Sequence, residues 1–296
     1  MREVGVKVPM VDETNVPDQR NLVWRDARYQ LGHQIGRGAF STVYKAGDEW
    51  GNRLVVKIYR ADVPKATWQN EARQLQRFRH PNIVFLHGAF EFQGQGHLIL
   101  EDAGVSLGRA KPQDARRHGA LARAAARGML QALHFIHSAG WVHADINPGN
   151  VLVDPATARG TLSLKLCDLG LCFSTSEPPA RRTIAHWNPP PESLGPAAAG
   201  GAGLGPAMDV YAAALVLLEL LYGETSVRFG FDETRAGRPQ RFAVELGTPL
   251  GAALAGALDP DPQRRPTAMQ LWRRIREATD HDGSAIGPPR LPDGQT

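Results

Sequence analysis

A chain of 296 residues is long enough for one large or two-lobed domain, and its 42% apolar and 22% charged residues describe a folded protein rather than a disordered one. The formal charge of +4 is mild, and the arginines are scattered over several predicted helices without forming a stripe, so no nucleic-acid partner is expected. Cys167 and Cys172 match no zinc spacing and are too few for a disulfide framework, which points to a reducing, cytoplasmic setting.

Residues 1–28 are polar, carry Pro9 and Pro17, lack an apolar signal segment, and read as an N-terminal extension. From Tyr29 to Tyr59 the chain is strand-like, with turns at Gly36–Gly38 and around Gly47–Asn52, which predicts an antiparallel meander. Ala66–Arg79 has helical spacing, with Ala72, Leu75 and Phe78 on one face, and stops ahead of His80-Pro81. Apolar runs at Ile83–Phe90 and His97–Glu101 predict two more strands. Beyond Gly104 the character turns helical: helices are expected over Ala115–Ala139, Asp209–Tyr222, near Leu250–Leu258 and over Ala268–Thr279, with short strands at Val151–Val153 and Leu164–Leu166. The run Val210–Tyr222 contains Glu219 and is too short for a bilayer, so it reads as a buried core helix and no membrane partner is expected. The stretch 197–206 is Ala/Gly-rich and reads as a mobile loop; residues 281–296 read as a flexible tail. The fold class expected is α+β and bilobal, with a small antiparallel-sheet lobe over about 29–101 and a larger, mainly helical lobe over about 105–280.

The first chemical signal is Gly36-Arg-Gly38-Ala-Phe-Ser41-Thr-Val43. Two glycines in a strand-to-strand turn let backbone amides approach phosphate oxygens, although glycine-rich hairpin turns are common. A strand follows, so this is not a dinucleotide fingerprint. The second is Lys57, within Leu54-Val-Val-Lys-Ile58. A lysine between Val56 and Ile58 on a short strand is readily a solvated, outward-facing residue; pointing inward at phosphates, it needs a carboxylate to orient it, and Glu71 on the next helix is the candidate.

This order, followed by His80-Pro-Asn-Ile-Val84, resembles the small lobe of the protein kinase family, in which the glutamate lies nine residues before the His-Pro pair, as Glu71 does here. His143-Ala-Asp145-Ile-Asn147-Pro-Gly-Asn150 resembles that family's catalytic loop, and Asp168-Leu-Gly170, eighteen residues beyond Asn150, resembles its metal-binding Asp-Phe-Gly turn. The resemblance implies ATP and Mg²⁺ as cofactors, with Asp145 as the base for a substrate hydroxyl and Asn150 and Asp168 as metal ligands. It also implies that Ile35, Gly36, Gly38 and Ser41 cover the nucleotide and that Val43, Val55 and Leu152 sandwich adenine. Leu100 and Glu101 would open the hinge that reads the adenine edge. Val43, Val55 and Leu152 are equally good as ordinary core. Pro191-Glu192 and Arg265 resemble the pair that closes the activation segment, and Asp209 the helix-start acid that caps its helix and ties down the catalytic loop. Leu75, Leu86, His143 and Leu169 fall where the family stacks a lobe-joining column.

Three departures stand out. Ser41 replaces the third glycine, a small change. Ala144 replaces the arginine before the catalytic Asp, which argues against switching through a phosphorylated activation segment, at Thr183, Thr175, Ser174 or Ser176. Asn147 replaces a lysine that steadies the transferring phosphoryl group; it donates a hydrogen bond without charge, a loss of about 3 kcal/mol, or roughly a hundredfold in rate. Arg181 or Arg182 would be the residues to compensate. The function expected is transfer of the γ-phosphate of ATP to a Ser or Thr hydroxyl of a protein substrate, with Asp145, Lys57, Glu71 and Asn147 as catalytic residues; Pro148 favours Ser/Thr over Tyr. Two alternatives stay open. The Pro-Gly-Asn of the loop is similar to aminoglycoside- and choline-type phosphotransferases, and Ala144 with Asn147 suits a pseudokinase scaffold.

Overall fold

Alternating apolar residues upstream of Glu101 fold into a single antiparallel sheet. The structure is a computed structural model and describes residues 21–110, 115–154, 162–179, 187–194, 204–223 and 228–280. Strands β1 (Asn21–Trp24), β2 (Ala27–Arg37), β3 (Ser41–Asp48), β4 (Arg53–Tyr59), β5 (Leu86–Phe92) and β6 (Gln95–Glu101) pair in the order β1-β2-β3-β4-β6-β5. The sheet thus begins upstream of residue 29, within the stretch read as an extension. Its first hairpin turns on Arg25 and Asp26, at φ 49° and 64°, between paired Trp24 and Ala27. Positive φ at both turn residues matches the twist of the flanking strands, and Asp tolerates that conformation. Gln93 and Gly94 repeat the device between β5 and β6, at φ 50° and 75°.

Trp24 stacks on Phe90 of β5 with ring centroids 5.6 Å apart, so the two edge strands are drawn together. Leu22, Tyr29, Leu31, Leu54, Val56 and Ile99 fill the space they enclose. Alternation along β4 therefore turns Leu54 and Val56 to that side and Val55, Lys57 and Tyr59 to the other. The other side is covered by α1 (Lys65–Arg77), whose Trp68, Ala72 and Leu75 are buried. The helix ends ahead of His80-Pro81, as the sequence predicts.

The run from Ile83 becomes regular strand only at Leu86. Ile83 instead bridges in parallel to Leu166, and Val84 N donates to Leu166 O at 2.9 Å. These apolar residues are satisfied by joining the sheet to the second half rather than by extending β5. That half contains α2 (Ala115–Ser138), α3 (Pro206–Tyr222), α4 (Phe231–Arg235), α5 (Arg238–Glu245), α6 (Pro249–Ala257) and α7 (Ala268–Asp280). Its short strands are β7 (Val105–Ser106), β8 (Trp141–Val142), β9 (Val151–Asp154), β10 (Ser163–Leu166) and β11 (Phe173–Ser174). Helix α3 is apolar all round and buried from Met208 to Leu218, as expected of a core helix. One apolar core runs from Val55 and Trp68 through Ile83, Leu166 and Leu169 to Leu254 and Leu271, so the lobes share it. Leu75, Leu86, His143 and Leu169 are all buried at this junction. Helices α4 and α5 were not foreseen. The Ala/Gly-rich loop lies outside the described residues except for Leu204 to Pro206, and so does the tail from 281. Among the described residues, no helix is long and apolar enough to cross a membrane.

Candidate active site

Lys57 and Glu71 meet beneath the sheet. Lys57 Nζ donates to Glu71 Oε1 at 2.9 Å and Oε2 at 2.8 Å, and lies 3.3 Å from Asp168 Oδ1. The Lys57 side chain is 10% exposed and that of Glu71 1%, whereas that of Asp168 is 42% exposed and open to a ligand. Burial alone would lower the Lys57 pKa, but Asp168 and Glu71 outweigh it and hold the amine well above its usual value. Burial pushes the Glu71 carboxyl up, with Lys57 working against it. Burial also acts to raise Asp168, but the neighbouring Lys57 wins and holds that carboxyl below its ordinary range. The solvated reading of Lys57 is therefore set aside.

Asp168 reaches this position on a left-handed backbone, φ 60° and ψ 70°, that Asp accommodates better than a β-branched residue would. The carbonyl of Gly170, two residues on, accepts from Asn70 Nδ2 of α1 at 3.1 Å, so the helix that carries Glu71 also grips the turn that carries Asp168.

The loop between β8 and β9 supplies Asp145, Asn147 and Asn150. Asn147 Nδ2 donates to Asp145 Oδ1 at 3.1 Å, and Asn150 Nδ2 donates to Oδ2 at 2.8 Å. Asn147 Oδ1 in turn accepts from Gly149 N at 2.8 Å. Burial pushes the Asp145 carboxyl above its ordinary range and Asp168 adds to this, while both asparagines oppose it. Asp209 anchors the loop from behind: Oδ2 accepts from His143 N at 2.7 Å and pairs with His137 Nε2 at 2.8 Å, and Oδ1 accepts from Ala144 N at 2.8 Å. The expected tie to the loop is present, but the expected helix cap is not. Helix α3 starts at Pro206 behind Gly205 with no side-chain cap, and Asp209 sits inside its first turn.

The glycine turn has neither Gly36 nor Gly38 in a left-handed backbone, and a Cβ on either would make only ordinary contacts. The free protein does not need these glycines sterically; a ligand approaching the backbone would. Ser41 is buried, and Val43 and Leu152 are partly buried against the same core as Val55. Leu100 is buried beside Val55, its register partner. The hinge role implied for Glu101 is a backbone one, and its side chain is engaged elsewhere: Oε1 accepts from Phe85 N at 2.7 Å and Lys165 Nζ at 2.6 Å. The Glu101 and Asp102 amides already donate to Phe85 O and Arg53 O, so Ala103 is the first hinge residue without a backbone partner for its N–H among the described residues. Asp102 holds the hinge through Lys45 at 2.7 Å and Arg53 at 3.1 Å. Arg109, from the helical half, donates to the Ile35 carbonyl at the root of the glycine turn.

Arg265 makes two parallel bonds to Glu192, at 2.6 and 2.7 Å, with its own side chain fully buried. Ala144, at φ 71°, packs in an apolar cluster with Val142, Phe173, Leu204 and Met208. Arg181, Arg182 and Thr183 lie outside the described residues. Sequence reasoning missed Tyr59, Asn70, Ala103 and Arg109. Strand alternation carries the signal for Tyr59 alone, since it puts Tyr59 on the face of Lys57.

Among the described residues no three His, Cys, Asp or Glu side chains form a cage for a metal ion. Asp168 offers a carboxylate, and Asn150, its amide nitrogen committed to Asp145, has a carbonyl oxygen left to give. Two hard oxygen donors from protein fit Mg²⁺ when phosphates and water complete the shell.

The family model for the protein kinase domain matches residues 29–274. The chain is 32% identical over 205 residues to the probable serine/threonine-protein kinase PknB of Lactococcus lactis, covering 67% of this chain and 32% of that protein. It is 33% identical over 200 residues to mitogen-activated protein kinase kinase kinase 7 of Drosophila melanogaster, covering 64% of this chain and 28% of that one. It is 29% identical over 219 residues to the serine/threonine-protein kinase PknA of Mycobacterium tuberculosis, covering 67% and 47%. The chain thus spans less than half the length of each of these relatives.

Proposed function

The chain belongs to the protein kinase domain family, and on that premise we propose that it transfers the γ-phosphate of ATP to a serine or threonine hydroxyl of a protein. The observation that carries the proposal is the contact of Lys57 with both Glu71 and Asp168, which joins sheet, helix and helical lobe in one charged cluster. Relatives named as serine/threonine-protein kinases support the acceptor class and do not favour the small-acceptor reading. The uncombined cysteines Cys167 and Cys172 suit a cytoplasmic, reducing setting.

In this reading Lys57 binds the triphosphate, oriented by Glu71. The glycine turn covers the phosphates with backbone amides, and Val43, Val55, Leu100 and Leu152 enclose the base, whose edge meets the Ala103 amide. Asp145 accepts or orients the hydroxyl proton; a raised carboxyl pKa makes it a better base than a solvated aspartate. Asn147 and Asn150 hold that carboxylate by one oxygen each. Asn150 and Asp168 would hold Mg²⁺, which when bound neutralises charge on the phosphates. The rest of the work is positioning and electrostatics, to which Asn147 brings a dipole in place of a charge.

The test is phosphate incorporation from labelled ATP with Mg²⁺ into the protein itself, a generic protein acceptor and a panel of small hydroxylated acceptors, against Asp145→Ala. Phosphoserine or phosphothreonine formed by the parent and absent with the variant is the expected result. A parent that binds ATP yet labels nothing above the variant, or labels only small acceptors, overturns the proposal.

A further inference from the structure

β4 brings one more polar atom to the charged cluster. Tyr59 lies two residues after Lys57 on the same face of the strand and is only 3% exposed. Its hydroxyl donates to Glu71 Oε2, one of the oxygens that Lys57 also holds. The Lys57 amine sits 5.3 Å from the centroid of the Tyr59 ring. One side chain therefore touches both members of the pair, the ring against the cation and the hydroxyl against the anion.

Core packing alone does not account for this residue. A phenylalanine would fill the same volume without a buried hydroxyl to satisfy, and Glu71 is the acceptor that satisfies it. The charges give the hydroxyl a task. Lys57 is one cation between two carboxylates, Glu71 and Asp168. In the reading above it must also serve incoming phosphates, which draw it away from Glu71. A neutral donor fixed on Glu71 keeps that carboxylate in place and does not compete for phosphate. Helix α1 has further need of such a hold, since it follows Pro64 with no side-chain cap and no acid in its first turn. Its placement depends on contacts such as Asn70 to Gly170 and Tyr59 to Glu71.

We propose that Tyr59 is a positioning residue for nucleotide binding, holding the Glu71 carboxylate so that Lys57 stays aimed at the triphosphate. The proposal rests on the kinase reading above and adds no chemical step. It is tested by a double-mutant cycle with Tyr59→Phe, Glu71→Gln and both together, reading ATP affinity by calorimetry with Mg²⁺ and steady-state constants with a generic protein acceptor. Loss of a hydrogen bond to a charged group corresponds to about a tenfold weaker affinity. Tyr59→Phe is expected to weaken ATP binding and raise KM for ATP by about that factor, to leave KM for the protein acceptor unchanged, and to have a clearly smaller effect in the Glu71→Gln background, where only a neutral amide oxygen is left to accept. An equal effect in both backgrounds, or none in either, makes Tyr59 ordinary core and overturns the proposal. The ¹³Cζ resonance of labelled Tyr59 checks the contact without altering the tyrosine: it moves in Glu71→Gln if the hydroxyl is bonded there, and an unmoved resonance refutes the contact. A folded parent that takes up no ATP would instead overturn the kinase reading, and with it this inference.

Discussion

Asp209→Ala asks how much of the catalytic loop is held from behind. The Asp209 side chain is 1% exposed and accepts from the backbone amides of His143 and Ala144 while pairing with His137. Alanine strands both amides, because His143 and Ala144 are themselves buried. Each unsatisfied buried amide costs about 1–3 kcal/mol. The variant in turn escapes the cost of burying a carboxylate, so a net loss of about 3 kcal/mol is expected. That is a large share of the roughly 5–15 kcal/mol by which domains are stable. Burial acts to raise the Asp209 pKa, but the His137 hydrogen bond and the neighbouring donors override it, and the carboxyl lies below its ordinary range when folded. A depressed folded pKa contributes stability above the unfolded value, about 3.9, and that contribution fades as pH falls through the folded value. Urea unfolding followed by circular dichroism, at pH 7 and through the acid range, reads both effects. The parent should lose stability below about pH 4 more steeply than Asp209→Ala. A deficit under about 1 kcal/mol at pH 7 with unchanged m-value, or one that does not narrow on acidification, would refute the argument.

Glu192→Ala leaves the fully buried Arg265 side chain without its carboxylate, and a loss of about 3–5 kcal/mol is expected in the same assay; under about 1 kcal/mol would mean that the backbone carbonyls of Asp259, Pro260 and Ala207 suffice for it. Gly96→Ala would set a Cβ 2.2 Å from Trp68 Cγ, so overpacking should cost about 1–3 kcal/mol, and a neutral melting temperature would show that Trp68 moves freely. Asn147→Lys gives up a brace on Asp145 worth about tenfold and adds a cation worth about a hundredfold, so turnover should rise about tenfold at unchanged ATP affinity. A slower variant in a phosphate-incorporation assay would mean that the brace matters more than the charge.

The residues that carry charge were legible because their chemistry constrains both type and spacing. Lys57 needs Glu71, and the meeting of the two follows from a strand and the helix after it. Other features depend on tertiary context that no spacing reports. β1 was hidden in a polar segment because its turn, Arg25-Asp26, contains no glycine, and because the stacking of Trp24 on Phe90 joins residues far apart in the chain. The use of the Glu101 side chain is not legible from its place at the hinge, because the Phe85 amide and Lys165 that engage it come from other elements. Helix α5 is short and offset by Pro239, and its buried Phe242 and Ala243 are too few for a periodic signal.

The two departures in the catalytic loop share one physical consequence. With alanine at 144, that position is buried among Val142, Phe173, Leu204 and Met208, where no charged side chain would be solvated. A phosphate near it would find no cation from residue 144, and the left-handed backbone there, φ 71°, is held by the hydrogen bond that the Ala144 amide donates to Asp209. With asparagine at 147, both oxygens of Asp145 are fixed by neutral amides, from Asn147 and Asn150. The loop is therefore ordered by contacts internal to it and by one buried carboxylate, none of which requires an added charge to form. Position and orientation of Asp145 are thus set by the chain itself, and in the proposed transfer the electrostatic help would fall to Lys57 and a bound cation.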